Sequence, residues 1–346
     1  GGPFTYTQNL NITEAWNGTV PFFNDTLNPP MMWLDGDAAM SIYSNKLPLT
    51  ITDIAFDTPT TLIATLETAQ ASAPYAAGEK IVLTGGNATS NFNGTYTVVS
   101  STTTTITYTG TLPSAWPSGY TTSAAPLYAW NYNPNWKSYT ATFMRIYSTP
   151  NVGSILVAGN LTAVDLNDNV LTYPVTVQWS QAFGLNQAPR TWEPTITNVA
   201  NQLEVPLRGP AIDAFPCNGQ FFLCSYWDTV VFSPINYATT SAPILGVRLF
   251  NQGRGMLTSN AWANTDKLVY GFDARDIWVF DGNDFTGLGN QRVKNWFYDR
   301  LDQRYVDRMF MEVNTQKNQV EIYYTDKDVD RKSTRLNSSH ITISYA

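Results

Sequence analysis

The stretch GQFFLCSYWDTVVFSPI, Gly219–Ile235, decides the fold class of this 346-residue chain. Within FFLCSYW the side chains alternate between two faces, as they do along a β-strand. One face carries Phe221, Leu223, Ser225 and Trp227, and the other carries Phe222, Cys224 and Tyr226. The stretch therefore predicts a strand, a polar turn and a second strand.

Three other stretches have the same strand, turn and strand pattern. They are GSILVAGNLTAVDLNDNVLTYPVTVQW (Gly153–Trp179), DKLVYGFDARDIWVFDG (Asp266–Gly282) and DRMFMEVNTQKNQVEIYY (Asp307–Tyr324). The later starts recur at roughly 40 to 50 residues, the period of one propeller blade. A large sandwich would also contain hairpins, so the predicted fold is all-β, either propeller-like or a large antiparallel β fold.

A Thr/Ser/Ala-rich module interrupts this pattern from about Ile51 to Ala125. It contains GEKIVLTGG, NGTYTVVSS and TTTTITYTG, three short strands separated by Gly-bearing turns. We expect a small Ig-like or meander β module inserted into a loop of a larger domain formed by residues 1–50 and 126–329. Two sequential domains are the alternative.

One segment, NQRVKNWFYDRLDQRYVDRM, predicts an amphipathic helix. Its apolar residues recur at intervals of three and four, and Asn290 is available as N-cap. We expect the helix to pack this stripe across a blade edge. The stripe consists of Val293, Trp296, Phe297, Leu301 and Tyr305.

The last residues, Asp330–Ala346, continue no pattern of the preceding chain. Written back into codons, DRKSTRLNSSH resembles a common short-read sequencing adapter, and ITISYA fits its continuation. We therefore expect this tail to be foreign to the fold and to have no packed structure, although a short ITISY strand can pair with an open sheet edge. The start, GGPFTYTQNLNITEAW, has no initiator Met, so we also expect both natural termini to lie outside this sequence.

Charge and histidine content limit the chemistry. The formal net charge is −7 and becomes −9 without the tail, which holds three basic residues and one acidic residue. An acidic chain is unsuited to binding a nucleic-acid backbone. The only histidine, His340, lies in the tail, so Ser-His-Asp, Cys-His and His-ligated metal sites are not expected. No apolar run reaches the roughly 18 residues that span a bilayer.

The two cysteines lie in PCNGQFFLC. Asn218-Gly219 favours a type I′ hairpin turn, which places Cys217 opposite Gln220 and Cys224 further along the second strand. This spacing is too wide for a disulfide. We expect both thiols to be reduced and structural.

Several acidic clusters are candidate sites. In FDARDIWVFDGNDF, Asp273, Asp276, Asp281 and Asp284 invite comparison with the paired carboxylates of a glycosidase, but Asp and Asn also form hairpin turns. Asp165–Asn169 and Asp326–Asp330 have alternating oxygen ligands without the rest of a calcium loop. We therefore predict turns here, and no catalytic, cofactor-binding or metal-binding residue.

The stretch Val177–Ile235, VQWSQAFGLNQAPRTWEPTITNVANQLEVPLRGPAIDAFPCNGQFFLCSYWDTVVFSPI, resembles virion structural proteins of tailed phages. It is similar to the tail nozzle or tail-tube family of short-tailed phages, the tubular protein B type. LVYGFDARDIWVFDG, LGNQRVKNWFYDRL and MFMEVNTQKNQVEIYY continue the similarity, which covers roughly Thr140–Tyr324 through aromatic and turn placement.

The resemblance implies a non-enzymatic, propeller-like subunit of a homo-oligomeric ring in the phage tail. Its partners would be further copies and other tail proteins, and DNA would pass through the ring without sequence-specific binding. The rival hypothesis is a glycan-binding or glycan-cleaving β protein, such as a tailspike or a secreted lectin, because Trp and Tyr side chains can stack on sugars.

Overall fold

A computed structural model gives the fold of the chain. It describes residues 11–34, 41–42, 49–84, 92–111, 116, 119–127, 130–131, 133, 135–150, 153–196, 198–235, 245–265, 267–327 and 338–344. The chain divides into two compact units, one formed by Gly1–Ile42 with Lys137–Ala346 and the other by Tyr43–Trp136.

The described residues form 25 strands in five sheets and one closed barrel. The first sheet contains β1 (Thr13–Asn17), β2 (Val20–Asn24), β3 (Met31–Met32) and β4 (Ser41–Ile42). The barrel contains β5 (Leu49–Thr58), β6 (Thr61–Leu66), β7 (Lys80–Thr84), β8 (Gly94–Ser101), β9 (Thr105–Thr109) and β10 (Thr122–Pro126). The second sheet contains β11 (Trp136–Thr149), β12 (Gly153–Asp165), β13 (Val170–Trp179) and β14 (Asn201–Glu204).

The remaining three sheets follow along the chain. The third contains β15 (Asp213–Cys217), β16 (Gln220–Cys224), β17 (Asp228–Pro234) and β18 (Leu245–Gln252). The fourth contains β19 (Trp262–Asn264), β20 (Val269–Phe272), β21 (Ile277–Phe280) and β22 (Phe285–Gly287). The fifth contains β23 (Phe310–Asn314), β24 (Gln319–Thr325) and β25 (Ser338–Ser344).

Each of the five sheets is an antiparallel meander whose strand order follows the sequence, and together they form a propeller-like arrangement. The prediction of an all-β, propeller-like fold is confirmed. The four predicted hairpins become β12–β13, β16–β17, β20–β21 and β23–β24, each in a different sheet. Local alternation identified them because each hairpin contributes two neighbouring strands to one blade.

The alternation of β16 places its side chains in two separate cores. Phe221 and Leu223 pack with residues of the second sheet, including Phe143 and Trp179. Phe222 and Cys224 pack on the opposite side with residues of the fourth and fifth sheets. A strand buried on both faces is what a blade inside a stack of sheets requires, so this strand is apolar throughout.

The turn between β15 and β16 has the predicted geometry. Asn218 and Gly219 both have positive φ, 49° and 73°, as a type I′ turn requires. Cys217 pairs with Gln220 and Asp213 pairs with Cys224. Both cysteines are buried and neither forms a disulfide.

The inserted module is a closed six-stranded barrel, with the strand order β10-β5-β6-β9-β8-β7. The sequence analysis favoured an Ig-like or meander arrangement instead. Register shifts in β5 and β8 are β-bulges, which bend a strand and allow the sheet to close. Closure pairs β10 with both β5 and β7, so the module has no free edge strand.

The predicted helix is shorter than its apolar stripe. It runs from Gln291 to Arg300, with the Asn290 side chain accepting a hydrogen bond from the Val293 amide at 3.0 Å. A separate 3₁₀ helix covers Gln303–Arg308.

Only part of the predicted stripe packs as expected. Phe297 is buried between Phe272 and Tyr324, and Leu301 is also buried. Val293 and Trp296 remain 40% and 48% exposed, so the prediction that they pack is wrong. The chain leaves the helix at Leu301, which bridges to Asp326, and this bridge tilts only the end of the helix into the core.

The expectation that Asp330–Ala346 has no packed structure is wrong for Ser338–Ser344. This segment is the third strand of the fifth sheet and pairs with β24 over seven positions. The pairing matches the exception allowed for a strand at an open edge. No helix among the described residues is long and apolar enough to cross a membrane.

Both cysteines should resist alkylation in the folded protein. Burial raises the pKa of Cys224 to about 12 and also raises that of Cys217, so little of the reactive thiolate is present at neutral pH. We expect N-ethylmaleimide to label neither thiol in buffer and both in urea, as counted by intact mass. An exposed Thr286→Cys control should label at once, and rapid labelling of a native cysteine would contradict the assignment.

Candidate functional site

A buried carboxylate lies at the start of β15. Asp213 is fully buried, and its two oxygens accept hydrogen bonds from Nε and Nη2 of Arg145 at 2.8 and 2.6 Å. The indole Nε1 of Trp262 and the backbone amide of Asn260 donate to the same carboxylate, both at 2.9 Å. Such a bidentate, fully satisfied pair is the arrangement in which a buried ion pair is tolerated.

Arg145 carries these contacts to the first sheet. Its Nη1 donates to the carbonyl oxygen of Glu14 at 2.8 Å, and its Nη2 also donates to Oδ1 of Asn260 at 2.7 Å. The guanidinium lies 5.1 Å from the centre of the Trp262 ring, within the range of a cation–π contact. One arginine on β11 therefore contacts the first, third and fourth sheets.

Asn260 adds the fifth sheet to the same cluster. Its carbonyl oxygen accepts from the Met311 amide on β23 at 2.9 Å, and its Nδ2 donates to Oδ1 of Asn11 and to the carbonyl of Ile12. The residue has φ 62°, a left-handed conformation that asparagine tolerates better than most residues. We call Arg145, Asp213, Asn260 and Trp262 the polar hub.

A cavity of ≈ 800 Å³ opens beside the polar hub. Its walls include Glu14 and Phe23 from the first sheet and Phe310 and Glu312 from the fifth. Asp307 and Arg308 lie on the same wall as β23. The two sheets thus present charged and aromatic side chains to this cavity, whereas the cores shared by the second to fifth sheets are apolar. This cavity is the candidate functional site.

The first sheet continues the cavity wall with two exposed tryptophans. Trp16 pairs with Pro21 across the β1–β2 ladder, and the Trp33 amide donates to the Pro21 carbonyl at 3.2 Å. Residues opposite each other in antiparallel strands share a face. Glu14 lies two residues before Trp16 on the same strand and hence on this face. We call Glu14, Trp16, Phe23 and Trp33 the open face of the first sheet.

The acidic residues considered for glycosidase chemistry lie elsewhere, in two separate turns. Asp273 and Asp276 lie between β20 and β21, where Asp273 accepts from the amides of Arg275 and Asp276 at 2.7 and 2.9 Å. Arg254 pairs with both carboxylates, at 3.3 and 3.0 Å, and Lys294 of the helix pairs with Asp276 at 2.7 Å. The pair is thereby neutralised and tied to the helix.

Asp281 and Asp284 form the second turn. Asp281 accepts from the amides of Asn283 and Asp284 at 2.8 and 2.9 Å. The hydrogen bonds from Asp284 and then Asn283 lower the pKa of Asp281. These contacts are those of an Asx turn, as the sequence analysis expected.

The other sequence candidates are also turns or lie outside the described residues. Asp165 accepts from the amides of Asn167 and Asn169 at 2.8 and 2.9 Å, which closes the loop between β12 and β13. The Asp326–Asp330 cluster is described only to Lys327, and Asp326 pairs with Arg300 at 2.8 Å. No group of three or more His, Cys, Asp and Glu side chains is placed to hold a metal ion within the part of the chain that the structure describes.

Sequence reasoning missed the polar hub. Its residues are separated by 68 and 115 positions along the chain, and no local pattern joins them. One signal was present: Arg145 interrupts the apolar run FMRIY, and a charged residue inside such a strand is seldom buried without a partner.

Comparisons with known proteins add little. No protein family matches the chain, and no curated protein matches it. Among solved structures, the chain is similar to one described as "Complex structure of the fission yeast SREBP-SCAP binding domains". The TM-score is 0.31 at 9% identity, over 99% of this chain and 76% of that chain. This likeness supports no statement about function.

Removing Arg145 should strongly destabilise the fold. In Arg145→Met the buried Asp213 carboxylate loses its counter-charge, and we expect the free energy of unfolding to fall by about 3–5 kcal/mol. Lys137→Met is the matched control, because Lys137 lies on the same strand and pairs with Asp168 at the surface; it should cost at most about 1 kcal/mol. Equal losses in urea denaturation would contradict the role of the hub.

Asp276 should likewise act in stability. Asp276→Asn weakens the contacts with Arg254 and Lys294, and we expect it to lower the free energy of unfolding by about 2 kcal/mol. Asp284→Asn serves as the exposed control and should stay within about 0.5 kcal/mol of the parent. Hydrolysis of a polysaccharide or peptidoglycan that Asp276→Asn abolishes, with unchanged stability, would show the carboxylate to be catalytic.

Proposed function

We propose that this chain is a non-enzymatic structural subunit of a tailed-phage virion, of the tail nozzle or tail-tube type. In this role it assembles with further copies into a ring and contacts other tail proteins, and DNA passes through the ring without sequence-specific recognition. The proposal rests first on the resemblance of Thr140–Tyr324 to that family.

The observation that carries the proposal is the use of the charged side chains. Arg145 with Asp213, and Arg254 and Lys294 with Asp276, hold sheets and helix together. Carboxylates committed to ion pairs and Asx turns favour a scaffold over a hydrolase. The net charge of −7 fits a passage for DNA, because like charges repel the phosphate backbone.

The open face of the first sheet supports assembly. Trp16 and Trp33 are 56% and 49% exposed on either side of the buried Pro21. Adjacent exposed tryptophans are costly in water and are typical of the centres of protein interfaces. We therefore assign this face to contacts between copies.

Native mass spectrometry of the full chain at micromolar concentration tests the proposal. We expect an oligomer that dissociates in Trp16→Ser/Trp33→Ser, because the double variant removes the aromatic contacts. Trp296→Ser is the control; this tryptophan is about as exposed but lies 5.3 Å from the Arg300 guanidinium on the helix surface. A strictly monomeric parent protein would contradict a ring subunit.

The cavity beside the polar hub favours a second candidate, glycan binding. Phe310 is 41% exposed and stacks on Tyr323 at 4.6 Å, and Glu14 and Glu312 line the same cavity. Aromatic faces stack on sugar rings and carboxylates accept hydrogen bonds from hydroxyl groups. Binding to immobilised bacterial polysaccharides that Phe310→Ala removes and Trp296→Ala leaves intact would favour this function over the virion role.

A further inference from the structure

The fifth sheet differs from the other four sheets of its unit. Among the described residues, each of those four contains four strands, and the fifth contains three. Its first two strands come from the predicted hairpin, Asp307–Tyr324. The third, β25, comes from the tail whose sequence resembles a translated adapter.

The strand that β25 joins is held in place without it. Val320, Ile322 and Tyr324 of β24 are buried in the core that the fifth sheet shares with the third and fourth sheets. Tyr324 contacts Phe297 of the helix at 5.1 Å. The neighbouring β23 is bound to the polar hub through the Met311 amide. The edge of β24 is therefore a preformed template.

The contacts of β25 are mainly those of the backbone. The ladder pairs seven residues, from Gln319 opposite Ser344 to Thr325 opposite Ser338. Of its described side chains, Thr342 is exposed and Ile343 is partly buried against the same core as Val320. Ile341 and Ile343 stand opposite Ile322 and Val320 in the register. Backbone pairing tolerates many sequences, and alternate side chains supply specificity.

We propose that the edge of β24 is a strand-acceptor site that binds an extended peptide segment supplied by a neighbouring polypeptide. The segment adds antiparallel to β24 and carries β-branched apolar residues at the two positions opposite Val320 and Ile322. A tail resembling adapter was not selected for this core, yet it fits the edge. Recognition therefore resides in β24, and the covalent link from Thr325 to Ser338 is not needed. This inference does not depend on the virion role.

The test separates the strand from the chain after folding. A protease site replaces residues 332–336 of the full-length protein, which is folded, purified and then cut. The probe is a fluorescent peptide with the sequence of Ser338–Ala346. Fluorescence anisotropy measures its binding to the cut protein and to the uncut protein, whose edge is occupied by the tethered strand at high effective concentration.

We expect the released segment to co-elute with the cut protein and to exchange with the probe. The probe should bind the cut protein at least ten-fold more tightly than the uncut protein. A control peptide carrying Thr342→Pro and Ile343→Pro should lose at least ten-fold in affinity. Successive amides of a strand point to opposite sides, so one of the two prolines removes a ladder hydrogen bond.

Two results would overturn the proposal. In the first, the released segment separates from the cut protein and the probe fails to bind. In the second, the probe binds the cut and uncut proteins equally, or the proline peptide binds as well as the parent peptide, which places the contact away from the β24 ladder.

Discussion

The buried carboxylate of Asp213 is the constraint on which the propeller-like unit depends. It lies at the first residue of β15, where the first strands of the sheets converge and where each such strand has one side without a ladder partner. Backbone groups on that side need hydrogen bonds from another source. The polar hub supplies several of them: Arg145 donates to the Glu14 carbonyl, and the Asn260 carbonyl accepts from the Met311 amide.

The same constraint explains why the apolar cores alone would not define the unit. Sheets stacked through alternating apolar side chains can slide or add a neighbour, because hydrophobic contact has no direction. Hydrogen bonds and a bidentate ion pair have direction, and they set the angle at which each first strand meets the hub. The cavity between the first and fifth sheets shows the contrast, since its walls are charged and aromatic and form no apolar core of the kind that joins the third and fourth sheets.

Features that depend on local patterns could be predicted from the sequence. The hairpins, the Asn218-Gly219 turn, the Asn290 cap and the turn roles of Asp165 and Asp281 each rest on residues a few positions apart. Features set by long-range contacts could not. The alternation of the inserted module is equally compatible with a sandwich, and bulges in β5 and β8 close it into a barrel. The helix kept its predicted start but lost the end of its stripe, because Leu301 bridges to Asp326.

The candidate site was the least predictable part. Glu14, Arg145, Asn260 and Glu312 are spread over nearly 300 residues, and their meeting depends on how the sheets are stacked. The acidic clusters that the sequence displays most openly are turns or structural ion pairs, whereas the charged groups nearest the cavity stand singly in apolar strands. A lone charge inside a β-strand is therefore the better indicator of a site in this protein.

Native-state hydrogen exchange tests the central claim most directly, by comparing the parent protein with Arg145→Met under conditions where both remain folded. If the polar hub joins the sheets, amide protection should fall together in β1, β15, β19 and β23 as well as in β11, while the barrel strands β5–β10 keep theirs. Loss of protection confined to β11 would contradict the account, because it would mean that each sheet is held by its own apolar core and that the hub only fills the space between them.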